Sequence, residues 1–465
     1  MFKRVLVANR GEIAQRIIQC CIDMDVECVA VYSTADEHAL YVPFATESVC
    51  IGDAPAAKSY LDMNAIISAA LATGCDAIHP GYGFLSENAD FARACEEYGI
   101  KFIGPPPEVI EKMGVKAAAR ELMMANDVPV VPGSDGIVAD AAEAALVAER
   151  IGYPILVKAS AGGGGRGMRR VENAGELPAM FEQARAEAVA CFGNGDLYVE
   201  KLIVNPKHVE IQVLADTRGN IVHLGERDCS IQRKNQKMIE ETPCTRLNPA
   251  LRAEMGEVAV RAARAAGYVN AGTVEFVMDE QGNYYFIEMN TRIQVEHPIT
   301  EMLYRVDLIR EQIRVAEGLP LSFSQEDLKP TGHAIECRIN AEDPSRDFAP
   351  SPGRIDMMHL PTGNGARVDS ALYTGCEVSP FYDSLIAKLI VWAPTRLEAV
   401  RKMRRCLEET VISGIDTNIE FELFILFHGA FLKGNYTTSF IADCQEELLE
   451  LGQRVSEIEA KGRGE

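Results

Sequence analysis

Short apolar runs alternate with helix-period segments at the start of the chain. KRVLVANRGEIAQRIIQCCIDMDVECVAVYS reads as a buried strand, a glycine-containing turn, an amphipathic helix and a second strand, which is a βαβ unit. A helix near Met63 to Thr73 follows, then the apolar strand in DAIHP and the loop HPGYGFLSEN. The next strand, IKFIG, runs into Gly104-Pro105-Pro106-Pro107, which continues neither a strand nor a helix interior, so an α/β domain is expected to close there. A helical linker over Val109 to Asn126 leads through Pro129 and PGSDG into a small α+β stretch. From residue 204 the pattern changes to strands and hairpins with a few long helices. The final stretch, DCQEELLELGQRVSEIEAKGRGE, begins as a solvated amphipathic helix and ends as a frayed terminus. No internal repeat interrupts this order, and the expected fold class is α/β and α+β.

Composition narrows the function classes. With 465 residues, 47% of them hydrophobic and 25% charged, the chain has ordinary globular proportions and room for several cores. The 68 acidic against 46 basic side chains give a net charge of -22, which argues against nucleic acid or an anionic membrane as partner. Any anionic ligand must then be held by local charge. The N-terminal MFKRVLVANRGEIAQR lacks the apolar core of a signal peptide, and nowhere do 18 apolar residues run together. The 13 cysteines are scattered without a CxxC pair, so neither a disulfide framework nor a thiolate zinc site is expected, and the setting is read as a reducing cytoplasm.

Against that acidic background, KASAGGGGRGMRR stands out. Gly162, Gly164 and Gly167 satisfy G-x-G-x-x-G, but the dinucleotide fingerprint must open a helix, and MRRVEN reads as a strand. A Walker A loop fails too, because no Gly-Lys-Ser/Thr follows. What remains is a glycine loop between two strands, able to close bare backbone N–H groups over phosphates, with Lys158, Arg166, Arg169 and Arg170 as local cations. A simple surface hairpin is the competing reading.

A second stretch, TVEFVMDEQGNYYFIEMNTRIQVEHP, carries paired acids. If a turn over Glu280 to Asn283 closes a hairpin, Asp279 pairs with Tyr284 and Glu275 falls opposite Glu288. Like charges directly opposite are destabilising unless a cation sits between them. Asn290 and Arg292 share the Glu288 face while the strand stays extended, and such oxygen ligands suit Mg²⁺ or Mn²⁺. The other face, Val274, Phe276, Ile287 and Met289, reads as core; an exposed polar face for the acids is the alternative. A phosphate lid and a metal platform together point to ATP.

At the level of whole motifs the chain resembles biotin carboxylase, the ATP-grasp subunit of biotin-dependent carboxylases. The motifs are ANRGEIA, HPGYGFLSEN, KASAGGGGRGM, EKLI, HVEIQVLAD, ERDCSIQRKNQK, FIEMNTRIQVEHPITEM, GHAIECRINAEDP, PSPG and YDSLIAKLI. The resemblance implies a Rossmann-like N-terminal domain (1–115), a helical linker (116–130), a lid with the glycine loop (131–203), an ATP-grasp body (204–330), a biotin carboxylase C-terminal region (331–445) and a helical tail (446–465). It implies that MgATP, bicarbonate and biotin give ADP, phosphate and N-carboxybiotin, with two Mg²⁺ or Mn²⁺ ions. Biotin would arrive on a separate carrier, since no MKM-type biotinylation sequence is present. The implied partners are a biotin carboxyl carrier protein, carboxyltransferase chains and a second copy of the chain. No nucleic acid or membrane is among them.

Carried over by motif, Lys116, Lys158, Gly164 and Gly165 would meet the ATP phosphates. Glu200, Lys201, Leu202 and Ile203 would line the adenine site, and His208, Gln232 and Asn235 would help hold the nucleotide. Glu275, Glu288 and Asn290 match the metal site; Lys237, Arg292 and the Val295 backbone match the bicarbonate site. Glu296 matches the general base, and Arg338 with Tyr82 the biotin site. Bicarbonate needs a carboxylate base within reach, tuned by neighbouring Arg and Lys against burial. Attack on the γ-phosphate would give carboxyphosphate, which the lid must shield from water. Released phosphate would deprotonate the ureido nitrogen of biotin while Arg338 steadies the enolate-like oxygen.

Local readings compete at several positions. Arg338 could merely pair with Glu336 on its strand face, His79 and Tyr82 could be turn packing, His297 before proline reads as structural, and Cys229, Cys244 and Cys337 as buried thiols. The chain also departs from the family pattern. QRKNQK places Lys234 and Asn235 where QRRHQK or QRRNQK is usual, and TEMLYRVDL places Tyr304 and Arg305 where TEMxTGxDL has a small pair. The acceptor implied for the holoenzyme is acetyl-CoA, with pyruvate or propionyl-CoA as alternatives. More distant alternatives are a different ATP-grasp ligase and a non-catalytic regulatory chain that binds nucleotide.

Overall fold

Five parallel strands open the larger of two units in the computed structural model, which describes residues 1–160 and 167–463. They are Arg4–Val7 (β1), Glu27–Ser33 (β2), Glu47–Gly52 (β3), Ala77–His79 (β4) and Lys101–Phe102 (β5), in the order β3-β2-β1-β4-β5. Helices Gly11–Asp23 (α1), Met63–Ala72 (α2) and Ala89–Glu97 (α3) connect them. Val5 and Val7 pack with Ile13 and Ile17 on one face, and Leu6 with Ile66 and Phe91 on the other, so the sheet is buried on both sides as parallel sheets require. The helix expected to run unbroken from Val109 is two helices, Pro107–Gly114 (α4) and Lys116–Met124 (α5). Val115 adopts extended dihedrals between them, and the two units divide there.

The smaller unit comprises Val115–Pro206 and Phe276–Glu288. Its helices Ala141–Ile151 (α6) and Leu177–Phe192 (α7) cover an antiparallel sheet of Ile155–Ala159 (β6), Met168–Val171 (β7) and Leu197–Lys201 (β8), ordered β7-β6-β8. MRRV is thus a strand paired with ILVK, as expected. Gly164, Gly165 and Arg166 lie outside the described residues.

The turn after Met278 is one residue tighter than the expected one. The Asp279 N–H donates to the Asn283 carbonyl at 2.9 Å, and the Asp279 carboxylate accepts from Gln281 N–H and from both nitrogens of Asn283. Gly282, at φ 90°, supplies the left-handed residue that such a three-residue loop needs. Tyr284, Phe286 and Met289 are buried while Ile287 is only half-buried, so strict alternation shifts phase beside Glu288 and Ile287 leaves the expected core face.

The rest of the larger unit is built on Lys207–Ala215 (β9), Ile221–Arg233 (β10), Gln236–Thr242 (β11) and His333–Asn340 (β14), with Asn270–Met278 (β12) and Tyr284–Asn290 (β13) crossing the boundary between units. Helix Pro249–Ala266 (α8), buried through Met255, Val258, Ala259 and Ala262, leads from β11 to β12. The sheet order is β13-β12-β9-β10-β11-β14, followed by the strands Leu385–Ala393 and Ala366–Ser370. One face is apolar: Ile239, Cys337 and Leu389 pack with Met403 and Ile425 of two later helices and with Ile441 and Leu448 of the C-terminal helix Phe440–Arg463. The beginning of that last helix is therefore core rather than a solvated tail. The opposite face carries charge in register, Glu240 across from Glu336 and Arg338 across from Lys388. Among the described residues no helix is long and apolar enough to cross a membrane.

Candidate active site

β10 and β11 are joined by a two-residue turn, Lys234-Asn235, with φ of 49° and 65°. Both values are left-handed, the signature of a hairpin turn in which asparagine is tolerated, so Asn235 has a local reason to be there. It is exposed at the hairpin tip, and the structure does not bring it to the cluster described below. Gln232 is buried, its amide donating to the Cys229 carbonyl at 3.3 Å.

Lys237, two residues beyond the turn, meets three carboxylates. Its Nζ lies 2.5 Å from Glu210, 2.6 Å from Glu296 and 3.2 Å from Glu275. Burial would favour a neutral amine, but the three acids hold the Lys237 ammonium well above its ordinary range. Arg227 completes the base of the cluster, fully buried, with donors on Glu210, Gln212, Thr273, Gln294 and Thr300. Neither Glu210 nor Arg227 is marked as a site residue by the sequence pattern. In HVEIQVLAD the alternation of Glu210 and Gln212 with Val209, Ile211 and Val213 looks like a solvated strand face, and only the covering elements bury it.

Glu296 occupies the N-cap position of the helix His297–Tyr304 (α9), its side chain free of any capping bond, and is 2% exposed. One oxygen faces Lys237 and the other accepts from Arg338 Nη2 at 2.9 Å. Burial pushes its carboxyl up, but Lys237, Arg338 and Arg227 outweigh that and hold it well below the usual carboxylate range. Glu275 is likewise held low, burial being outweighed by Lys237 and His208. It accepts from Asn290 Nδ2 and Gln294 Nε2, both at 2.7 Å, and its second oxygen lies 3.0 Å from His208. The ligand atoms of His208, Glu210 and Glu275 lie within 4.8 Å of one another, and the carboxylate oxygens among them are the kind of ligand that suits a hard divalent cation.

Arg292 donates to Glu87 at 3.0 Å and to Asn290 Oδ1 at 2.9 Å. The Val295 carbonyl is fixed by Lys388 at 2.9 Å, while its N–H has no partner among the described residues. Tyr82, Lys237, Arg292, Val295 and Arg338 line one cavity of 560 Å³. Tyr82 donates its hydroxyl to buried Glu12, which in turn pairs with Lys388. Arg338 does not pair with Glu336 as the local reading had it; its partners are Glu240 at 2.6 Å and Glu296. His297 is buried with Nδ1 on the Gln294 carbonyl, and Cys229, Cys244 and Cys337 are buried thiols that burial pushes upward.

In the smaller unit Lys158 pairs with Glu200, and Lys116 lies 3.2 Å from Glu288. In EKLI the Lys201 and Leu202 N–H groups are already bound to the carbonyls of Pro132 and Pro154. The Ile203 N–H has no partner among the described residues. Lys201 Nζ closes the end of α6 by donating to the Gly152 and Tyr153 carbonyls. Arg169 and Arg170 pair with Glu187 and Glu172 of their own unit.

Three family models match successive parts of the chain: "Biotin carboxylase, N-terminal domain" over residues 1–110, "Carbamoyl-phosphate synthase L chain, ATP binding domain" over 115–324 and "Biotin carboxylase C-terminal domain" over 336–443. The chain belongs to the biotin carboxylase family. It is 55% identical over 448 residues to the chloroplastic biotin carboxylase of Arabidopsis thaliana, covering 96% of this chain and 83% of that one. The crystal structure of the Hydrogenobacter thermophilus 2-oxoglutarate carboxylase biotin carboxylase domain dimer, with MgADP, ADP and bicarbonate, superposes with a TM-score of 0.89 at 53% identity, covering 96% and 99%. A crystal structure of the biotin carboxylase subunit of pyruvate carboxylase superposes with a TM-score of 0.87 at 52% identity, again covering 96% and 99%. This biotin carboxylase is an ATP-dependent ligase and a subunit of a biotin-dependent carboxylase.

The departure at TEMLYRVDL has a local account. Arg305 closes α9 at φ 58°, a left-handed position that suits the glycine of the family pattern. Tyr304 lays its hydroxyl over Gly225, where an added Cβ would lie 2.3 Å away.

Proposed function

We propose that this biotin carboxylase uses Glu296 as the base that deprotonates bicarbonate, in the first half-reaction of an acetyl-CoA carboxylase. The observation that carries this is one fully buried carboxylate gripped by two cations, Lys237 at 2.6 Å and Arg338 at 2.9 Å, both of which line the cavity. In the resting cluster those cations suppress the proton affinity of Glu296. An anion that binds beside Lys237, Arg292 and the Val295 N–H shares that positive charge and relieves the suppression. The base is thus strengthened by the substrate that it deprotonates.

Lys116 and Lys158, with the Gly164–Gly165 backbone, are assigned to the ATP phosphates, and Glu200 to Ile203 to adenine, with the Ile203 N–H as the available donor. His208, Gln232 and Asn235 are assigned to the nucleotide. Glu275, Glu288 and Asn290 are the oxygen ligands assigned to Mg²⁺ or Mn²⁺, which when bound supplies charge neutralisation for phosphoryl transfer. Arg338 and Tyr82 are assigned to biotin presented by a carrier protein, and carboxyphosphate is the activated intermediate. We further assign a homodimer and a cytoplasmic setting; the relative solved as a dimer supports the first, and 13 free cysteines the second.

ATP turnover by the purified chain should require bicarbonate and rise with free biotin; absence of biotin stimulation would sink this reading. Relatives named for pyruvate and 2-oxoglutarate enzymes match at 52% and 53% identity, so similarity does not choose the acceptor. Reconstitution with the co-purifying biotinylated protein and carboxyltransferase decides it, acetyl-CoA being the acceptor expected to take up labelled bicarbonate.

A further inference from the structure

We propose that Glu240 is a positioning residue for the biotin step, anchoring Arg338 so that one guanidinium nitrogen stays turned toward the cavity. This rests on the function proposed above. Arg338 Nε donates to Glu240 Oε1 at 2.6 Å, and Nη2 donates to Glu296 Oε2 at 2.9 Å. Nη1 has no partner among the described residues, and Arg338 is part of the 560 Å³ cavity wall. Contacts at two nitrogens fix the plane of a guanidinium, whereas a single contact to Glu296 would let it swivel. The third nitrogen is then presented to a ligand without having to be reoriented.

Charge balance alone does not call for Glu240. Glu296 already gives Arg338 an ion-pair partner, and a second fully buried carboxylate adds desolvation cost. Glu240 also sits directly across the strands from Glu336, another fully buried acid, both of whose oxygens lack a partner. Burial pushes the carboxyls of both upward, so this cross-strand pairing gives Glu240 no favourable partner. The remaining Glu240 oxygen has no partner either, so among the described residues its hydrogen bonding serves Arg338 alone. An acid kept at that cost, with its hydrogen bonding among the described residues confined to a cavity-lining arginine, is explained by what it does to the arginine.

The experiment uses the full chain with MgATP, bicarbonate and free biotin, and compares Glu240→Gln, Glu240→Asp, Arg338→Ala and the Glu240→Gln/Arg338→Ala pair. Glu240→Gln keeps the reach and weakens the bond, so biotin-stimulated turnover should fall about tenfold; Glu240→Asp keeps the charge but loses the reach, and should fall by more. The KM for ATP should stay within about twofold in both. In the Arg338→Ala background, Glu240→Gln should add nothing further. The proposal is overturned if the two losses multiply, or if Glu240→Asp matches the unmodified chain. It is also overturned if Glu240→Gln lowers the unfolding midpoint and ATP binding together, which would make the residue structural. An unmodified chain without biotin stimulation would instead remove the functional reading itself.

Discussion

Lys237 and Lys116 are both assigned to anions, yet their surroundings differ sharply. Lys237, in the larger unit, is 13% exposed and meets three carboxylates that are themselves 8% exposed or less. Lys116, in the smaller unit, is 70% exposed and pairs with Glu288, which is 37% exposed; Lys158, 23% exposed and paired with Glu200, lies between them. The first arrangement is a preorganised charge lattice whose members depend on one another. The second, at Lys116, is an adaptable arm whose weak solvent-screened pair is easily exchanged for phosphate.

The sharpest way to break this comparison is at the base. Glu296→Ala should cut bicarbonate-dependent ATP turnover by about 10²- to 10⁴-fold, measured by phosphate release. Turnover equal to that of the unmodified chain would show the lattice to be structural only. Next in size, Lys237→Met should destabilise the fold by about 3–5 kcal/mol in urea unfolding, because buried carboxylates lose a shared cation. Lys116→Met should cost at most about 1 kcal/mol and act on the KM for ATP. Equal stability losses at the two lysines would erase the distinction.

Acid tests the larger unit from another side. His79 and His297 are fully buried, burial lowers each to about 3 from 6.5, and the Nε2 of each has no partner. Between those values the unfolded chain binds protons that the folded one refuses, so stability falls as pH is lowered from 6.5 toward 3. The expected slope is about 1.4 kcal/mol per pH unit per histidine, and His79→Asn should remove one share of it. A flat unfolding midpoint between pH 6.5 and 4.5 would mean that neither imidazole stays neutral in the fold, and half the slope would mean that one does not. The smallest effect is expected at Arg305→Gly, which should stabilise by about 0.5 kcal/mol by relieving a left-handed residue.

Much of this was legible in the sequence. The opening βαβ pattern, the strand character of MRRV and the long motif matches each depend on local residue order, and order is what a sequence records. Arg338 is legible as a site residue but its partners are not: Glu336, two residues away on the same strand, is the local choice, whereas Glu240, from the neighbouring strand, and Glu296, from a helix start, are the actual ones. The strand pattern alone predicts the loop after Met278 one residue too long, because the turn depends on the Asp279 side chain accepting backbone N–H groups. Glu210 and Arg227 are not legible in the sequence because alternating polar residues in a strand look the same whether water or another layer covers them.

By itself, then, the sequence determined the succession of elements, the family and the types of residue available for chemistry, since these follow from periodicity, turn residues and motif order. The tertiary structure alone decided which charges are buried together: Lys237 with Glu210, Glu275 and Glu296, and Arg338 with Glu240 and Glu296. Those contacts join strands and a helix end far apart in the chain, and whether a charge is desolvated depends on what is packed over it rather than on its neighbours in sequence.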